Sequence, residues 1–259
     1  MTETYILATF VWAGSIVPAP LISRTLPALG ITLAFGLVAW GMRGVTARGA
    51  LVGALITFVI TVAAGLAGFV TVLVVFVLTL VATRFGLHRK LAAGIAERRE
   101  GRRGSQVLAN LGAAGIVAVP AVFYPRSTPL LLAAMTAALC EAAADTVSSE
   151  IGQVAGRRAY LITNMESVAA GTDGGITAPG TFAGGIAAVI VGSVAAGLSI
   201  VPSGWLAPVV LCGFFGMLFD SLLGATLQRP GRLGNDAVNF LSTTFAAAVT
   251  LGYGLILMS

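Results

Sequence analysis

Formal charge is scarce in this chain: only 10% of its 259 residues are Asp, Glu, Lys or Arg, against roughly 25% in soluble domains. With 57% hydrophobic residues and a mean hydropathy of +0.97, that scarcity excludes an ordinary soluble globular protein. Histidine is nearly absent too. The single one, His88, lies in an arginine-rich loop, is a poor general base, and leaves no Ser–His nucleophile pair in view. The two cysteines, Cys140 and Cys212, sit inside apolar runs with no CxxC spacing, which argues against disulfide and zinc frameworks. There is one lysine, Lys90, and no G-x-x-x-x-G-K-[ST] motif, so P-loop chemistry in its usual form is excluded. No basic residue precedes the first apolar run, and a cleaved signal peptide is not expected.

What the chain has instead is apolar length. Runs of about 18 or more apolar residues mark transmembrane helices, and nine segments are predicted, over 4–22, 27–42, 49–66, 67–84, 105–124, 129–153, 181–202, 204–228 and 236–257. A Gly-rich break, "GLAG", separates the third from the fourth. The fold expected is all-α, a polytopic helical bundle forming one integral membrane domain over 1–259. Alternate loops hold 13 of the 15 basic residues, with only Arg24 and Arg126 outside them. The positive-inside rule then puts those loops in the cytoplasm and both termini outside, as for a protein of the cell inner membrane. The net charge of +5 gathers on that face, where anionic lipids or phosphates are met. A nucleic-acid partner is not expected.

The few polar residues inside the segments are not scattered. In "EAAADTVSSEIGQ", Glu141, Asp145 and Ser149 follow one another at i, i+4, i+8 and share a helix face, with Glu150 beside them. "FDSLLGATLQ" places Asp220, Gly224 and Gln228 on one stripe, and "GNDAVNFLSTT" places Asp236, Asn239 and Thr243 on another, with Asn235 at the helix entrance. "GSQVLAN" adds Gln106 and Asn110. Under the predicted topology all four stripes reach one cytoplasmic-side volume between the basic loops. The loop from 156 to 180 joins them, bearing Gly171, Thr172, Asp173, Gly174 and Gly175, with a helix expected to begin near Thr181. Glycine-rich turns let backbone N–H groups approach an anion, and a helix N-terminus favours one.

Carboxylates in a bilayer cost several kcal/mol unless paired, solvated or bound to cations, so they are functional candidates. Carboxylates with hydroxyl and amide oxygens suit Mg²⁺, which often bridges to substrate phosphates, and arginines grip phosphate bidentately where Lys90 acts as a point charge. The pattern predicts a metal-assisted phosphate site. Packing explains some of the same residues, since small hydroxyl side chains favour close helix contact.

Five blocks in order, "EGRRGSQVLAN", "ADTVSSEIG", "GTDGGITAPGT", "DSLLGATLQ" and "NDAVNFLST", resemble the integral-membrane family that includes plant and cyanobacterial phytyl-phosphate kinases. The resemblance covers about residues 80–257. Asp173 stands where asparagine is usual in that family, and the connector 229–234 is short. The resemblance implies a kinase that uses a nucleoside triphosphate, CTP or ATP, to convert an isoprenoid monophosphate to its diphosphate. In that reading Asp145, Asp220 and Asp236 hold Mg²⁺. The 171–181 loop cradles phosphate oxygens, Arg102 and Arg103 stabilise developing charge, and Asn110, Ser149, Glu150, Thr181, Asn235 and Asn239 complete the binding site. Two other readings use the same charges: a CTP-dependent lipid-phosphate cytidylyltransferase, and a transporter of lipid or prenyl phosphates. Transporter sites lie near the bilayer midplane in repeated halves, whereas these polar residues crowd one end.

Overall fold

A computed structural model describes residues 21–92, 101–124, 128–155 and 158–259. The predicted first segment, 4–22, falls almost wholly outside them, as does 93–100 of the basic run. Eight α-helices are described: α1 (Leu21–Gly41), α2 (Ala47–Arg84), α3 (Leu87–Ala92), α4 (Gly104–Phe123), α5 (Thr128–Ala155), α6 (Ala178–Gly197), α7 (Leu206–Leu223) and α8 (Asn235–Met258). A π-helical turn, Gly224–Gln228, continues α7. Three short strands separate α5 from α6: β1 (Ala159–Leu161), β2 (Ser167–Val168) and β3 (Gly175–Ile176).

Seven helices among the described residues are long and apolar enough to cross a membrane, against nine predicted segments. One segment lies outside the described residues, and two are halves of a single helix. Straight, the 38 residues of α2 would measure about 57 Å, nearly twice the ~30 Å hydrocarbon core. The helix instead turns back at Gly65, whose φ of 66° and ψ of −159° leave the helical region. This conformation favours glycine, and it falls within the "GLAG" break. The reversal is fixed by contacts at the far end: Arg84 Nη2 donates to Met42 O at 2.5 Å, and Gly44 lies against the ring of Phe76.

The centre of the bundle is α5, which touches α2, α4, α6, α7 and α8. Its middle is a run of buried alanines with Met135, Leu139 and Cys140, and close approach follows from glycines facing it. A Cβ on Gly180 or Gly184 of α6 would meet Ser148 O at 2.5 Å or Ala144 O at 2.7 Å, and one on Gly213 of α7 would meet Cys140 Cβ at 2.5 Å. Small residues let membrane helices pack by van der Waals contact where no hydrophobic force distinguishes partner from lipid. Outward faces are apolar: Leu37, Leu55, Val81, Phe123, Phe182 and Ile256 are exposed, as suits a chain solvated by acyl chains.

The chain is all-α as expected, with one small sheet in the α5–α6 connection that the sequence did not suggest. The strand order is β2-β1-β3, antiparallel throughout, with Tyr160 opposite both Ser167 and Ile176. Strands of two or three residues are too short to carry a period-two signal. The sheet covers the end of the bundle where the polar residues gather.

Candidate functional site

At that end a cavity of about 230 Å³ opens among α4, α5, α8, the π-turn and the sheet loop. From α5 it receives Asp145, Thr146, Ser148, Ser149, Glu150 and Gln153. From the end of α7 come Asp220, Ser221, Gly224 and Gln228; α8 contributes Asn235 and Asn239, and α4 Gln106 and Asn110. The turn Gly171–Gly175 and Thr177 form one wall, and Arg102 enters just before α4.

Each group is positioned by local structure. The backbone of Arg102 pairs with the segment before α2, with Thr46 N donating to Arg102 O at 3.0 Å and Arg102 N to Gly44 O at 3.1 Å. Its guanidinium thereby reaches Thr146 Oγ1 at 3.3 Å and lies close enough to Asp145 for their charges to interact. Asp220 is near Asp145 in turn, and its Oδ2 accepts from Ser242 Oγ at 3.1 Å. Asn239 Nδ2 donates to Asn110 Oδ1 at 3.5 Å, and Asn110 Nδ2 to Gln106 O at 2.8 Å.

The glycine turn docks on the π-turn. Gly174 has φ of +76°, and a Cβ there would sit 2.3 Å from Ala225 N, so a side chain is excluded by both backbone and space. The docking lets Gln228 Nε2 donate to Asp173 Oδ1 at 2.9 Å. Partial burial raises the Asp173 carboxyl above the usual aspartate value. π-turns recur at functional sites, and this one carries the cavity wall.

Thirteen of the expected site residues line the cavity: Arg102, Asn110, Asp145, Ser149, Glu150, Gly171, Thr172, Asp173, Gly174, Gly175, Asp220, Asn235 and Asn239. Three do not. Asp236 occupies the first turn of α8 but is not among the lining residues; it sits one residue, about 100° of helix, from Asn235. Arg103 is exposed and serves as N-cap of α4, its N–H donating to Gln106 Oε1 at 2.8 Å. Thr181 lies beyond the helix start, because Thr177 is the N-cap of α6, accepting from Gly180 N at 3.1 Å. The "TAP" triplet carried that signal, a threonine just ahead of a proline in the first turn.

Lys90 is also corrected. It is not a free point charge for phosphate: it is buried, and its ammonium donates to Glu150 Oε2, to Thr83 O at 2.7 Å and to Ala82 O at 3.4 Å. No helical period relates residues 90 and 150, so only the fold could reveal the pair. Glu141 lies deeper in α5, one turn before Asp145 and on its face, 1% exposed, against Gly216 of α7, and its Oε1 has no hydrogen-bond partner among the described residues.

Among the described residues no group of three or more His, Cys, Asp or Glu side chains is placed to hold a metal. Of the three aspartates expected from the sequence, Asp145 and Asp220 line the cavity and Asp236 does not, and amide and hydroxyl oxygens lie beside the pair. That donor set fits Mg²⁺, which commonly takes one or two carboxylates and completes its shell with water and substrate phosphate.

A family described as integral membrane protein DUF92 matches residues 30–247. The match begins well before residue 80, so the first helices belong to it as well. The chain is 34% identical over 197 residues to an uncharacterised membrane protein of Synechocystis sp., covering 75% of this chain and 76% of that one. It is 34% identical over 194 residues to the chloroplastic protein VTE6 of Arabidopsis thaliana, covering 72% of this chain and 58% of the plant protein. An uncharacterised membrane protein of Methanocaldococcus jannaschii is 31% identical over 204 residues, covering 76% and 80%. No solved structure matches.

Proposed function

Because this chain belongs to the DUF92 integral membrane family, we propose that it phosphorylates an isoprenoid monophosphate to the diphosphate, using ATP or CTP, at the cytoplasmic face of the cell inner membrane. The observation that carries the reading is one cavity holding Asp145, Asp220, Arg102 and the Gly171–Gly175 turn at the end of an apolar bundle. The resemblance to the phytyl-phosphate kinases supplies the reaction. The nine-segment topology, with both termini outside, belongs to the same proposal; the basic loops beside the cavity support it.

The chemistry asks little of the protein beyond positioning and charge. An oxygen of the acceptor phosphate forms a bond to the γ-phosphorus as the bond from that phosphorus to the β–γ bridging oxygen breaks, and its electrons leave on the nucleoside diphosphate. The acceptor is mostly ionised near neutral pH, so no proton has to be removed, and the lack of a usable histidine is no obstacle. Arg102 neutralises charge on the transferring group. Backbone N–H groups of the Gly171–Gly175 turn and the side chains of Asn110 and Asn239 orient phosphate oxygens. Asp145 and Asp220 would hold Mg²⁺, which when bound supplies electrostatic neutralisation of the polyphosphate.

Product analysis tests the proposal. Purified protein incubated with radiolabelled ATP or CTP and a panel of prenyl monophosphates is expected to yield the prenyl diphosphate and a nucleoside diphosphate. A CDP-lipid with pyrophosphate would replace the kinase by a cytidylyltransferase. Transfer of a prenyl phosphate across liposomes without nucleotide turnover would replace it by a transporter.

A further inference from the structure

A second cavity, of about 370 Å³, lies between α1, the two halves of α2 and α4. Its size falls within the range of small-molecule sites, about 300–1,000 Å³. The walls are Phe35, Ala39, Ala54, Val72, Phe76 and their neighbours, with Gly36, Gly49 and Gly53 among the lining residues. Arg43, Arg84 and His88 stand at the rim, all exposed. Arg102 and Asn110 line this cavity and the polar one alike. Thr83 Oγ1, also in the wall, is buried with no hydrogen-bond partner among the described residues.

We infer that this cavity is the binding site for the hydrocarbon chain of the acceptor, and that Arg102 and Asn110 mark the junction where chain ends and phosphate begins. The inference rests on the proposed kinase reading. An apolar chamber with a cationic rim is complementary to a ligand with a long apolar tail and one anionic end. Thr83 supplies a hydroxyl donor near that end, beside Arg84. Two other apolar hollows are less suited. The groove along α6 and α7, about 920 Å³, lies on exposed side chains such as Phe182, Ile186 and Val189. It meets the polar cavity only at Thr177, whose hydroxyl is committed to capping α6. The groove between α7 and α8 shares no residue with the polar cavity. No arginine is among the residues that line either groove.

The fold also says how the chamber is made. Without the reversal at Gly65, the second half of α2 could not return to face the first, and Val72, Phe76 and Thr79 would not stand opposite Gly49, Gly53 and Thr57.

The test uses the full-length protein in lipid nanodiscs and a prenyl monophosphate carrying a diazirine in its chain. Crosslinks mapped by mass spectrometry are expected in the chamber, on α2 and α4. Crosslinks confined to residues 178–190 or 207–222 would overturn the inference, as would displacement of the probe by excess phosphatidate, which would make the occupant a bilayer lipid. Gly53 has only Val107 Cγ1 near its Cβ position, at 3.6 Å, so Gly53→Leu fills the chamber rather than the backbone. KM for a twenty-carbon monophosphate is expected to rise about tenfold or more, with a smaller rise for a five-carbon one, since fewer methylenes are lost from burial. Thr57→Leu repeats the test should the first variant fold poorly. Gly185→Leu, in the α6–α7 groove, is expected to behave as the unmodified protein. An equal effect at both chain lengths would overturn the inference. Crosslinking in the chamber without any phosphoryl transfer would instead remove the kinase reading and leave the chain site standing.

Discussion

Lys90 and Glu150, sixty residues apart in sequence, form a buried ion pair in which Nζ lies 2.5 Å from Oε2. The pair fastens the short helix α3 to the end of α5, and the same ammonium ties both to the last turn of α2 through Ala82 O and Thr83 O. Breaking a buried pair from one side leaves an uncompensated charge and costs about 3–5 kcal/mol, whereas replacing both partners by apolar groups is often neutral. Lys90→Met is expected to lower the unfolding temperature in detergent markedly, and Lys90→Met with Glu150→Leu to recover most of it. A thermal-unfolding series on the single and double variants checks this.

Asp145 and Asp220 come from different helices to line the polar cavity, and Asp236 is not among its lining residues. Asp145→Asn and Asp220→Asn are each expected to reduce turnover by about 100-fold or more, with unfolding temperatures near that of the unmodified protein. Asp236→Asn is expected to stay within about threefold, as for a residue that touches no reacting group. Steady-state kinetics on the three variants measures the contrast.

Arg102 and Arg103 are adjacent in sequence and unequal in space. Arg102→Ala is expected to cost about 100-fold in turnover and Arg102→Lys less, because a lysine restores charge without the bidentate fork. Arg103→Ala is expected to be nearly silent in activity, since its side chain is exposed at the start of α4. Comparison of kcat/KM across the three decides it.

Gly174→Ala places a Cβ where Ala225 already stands and asks for a positive φ besides. The turn is expected to detach from the π-turn, lose the Asp173–Gln228 hydrogen bond, and raise KM for the nucleotide about tenfold or more. Gly234→Ala, with open space around its Cβ position and no positive φ, is the matched control and is expected to change little.

The proposed topology is open to chemical labelling. With Cys140 and Cys212 replaced by serine, a cysteine at position 231, in the loop after the π-turn, is expected to react with a membrane-impermeant maleimide only from the cytoplasmic side. A cysteine at position 259 is expected to react only from outside. Reversed reactivity would invert the orientation.

Sequence by itself determined that this chain lives in a bilayer and where most of its helices run, because apolar length and the spacing of prolines, glycines and charges are local properties. It also determined that polar stripes on four helices reach one end, since helical spacing and alternation of topology fix a residue's face and depth. The "GLAG" break even marked the reversal inside α2. Tertiary structure decided which of those residues meet. Whether Asp236 or Asn235 faces the cavity turns on about 100° of helix rotation, and rotation is set by packing against α4 and α5. Glycines 180, 184, 213 and 216 decided how near α6 and α7 approach the carboxylates of α5, and the Lys90–Glu150 pair depends on contacts sixty residues apart. The second cavity is likewise invisible along the chain, because a hollow is a relation among four helix faces and no single stretch of residues encodes it.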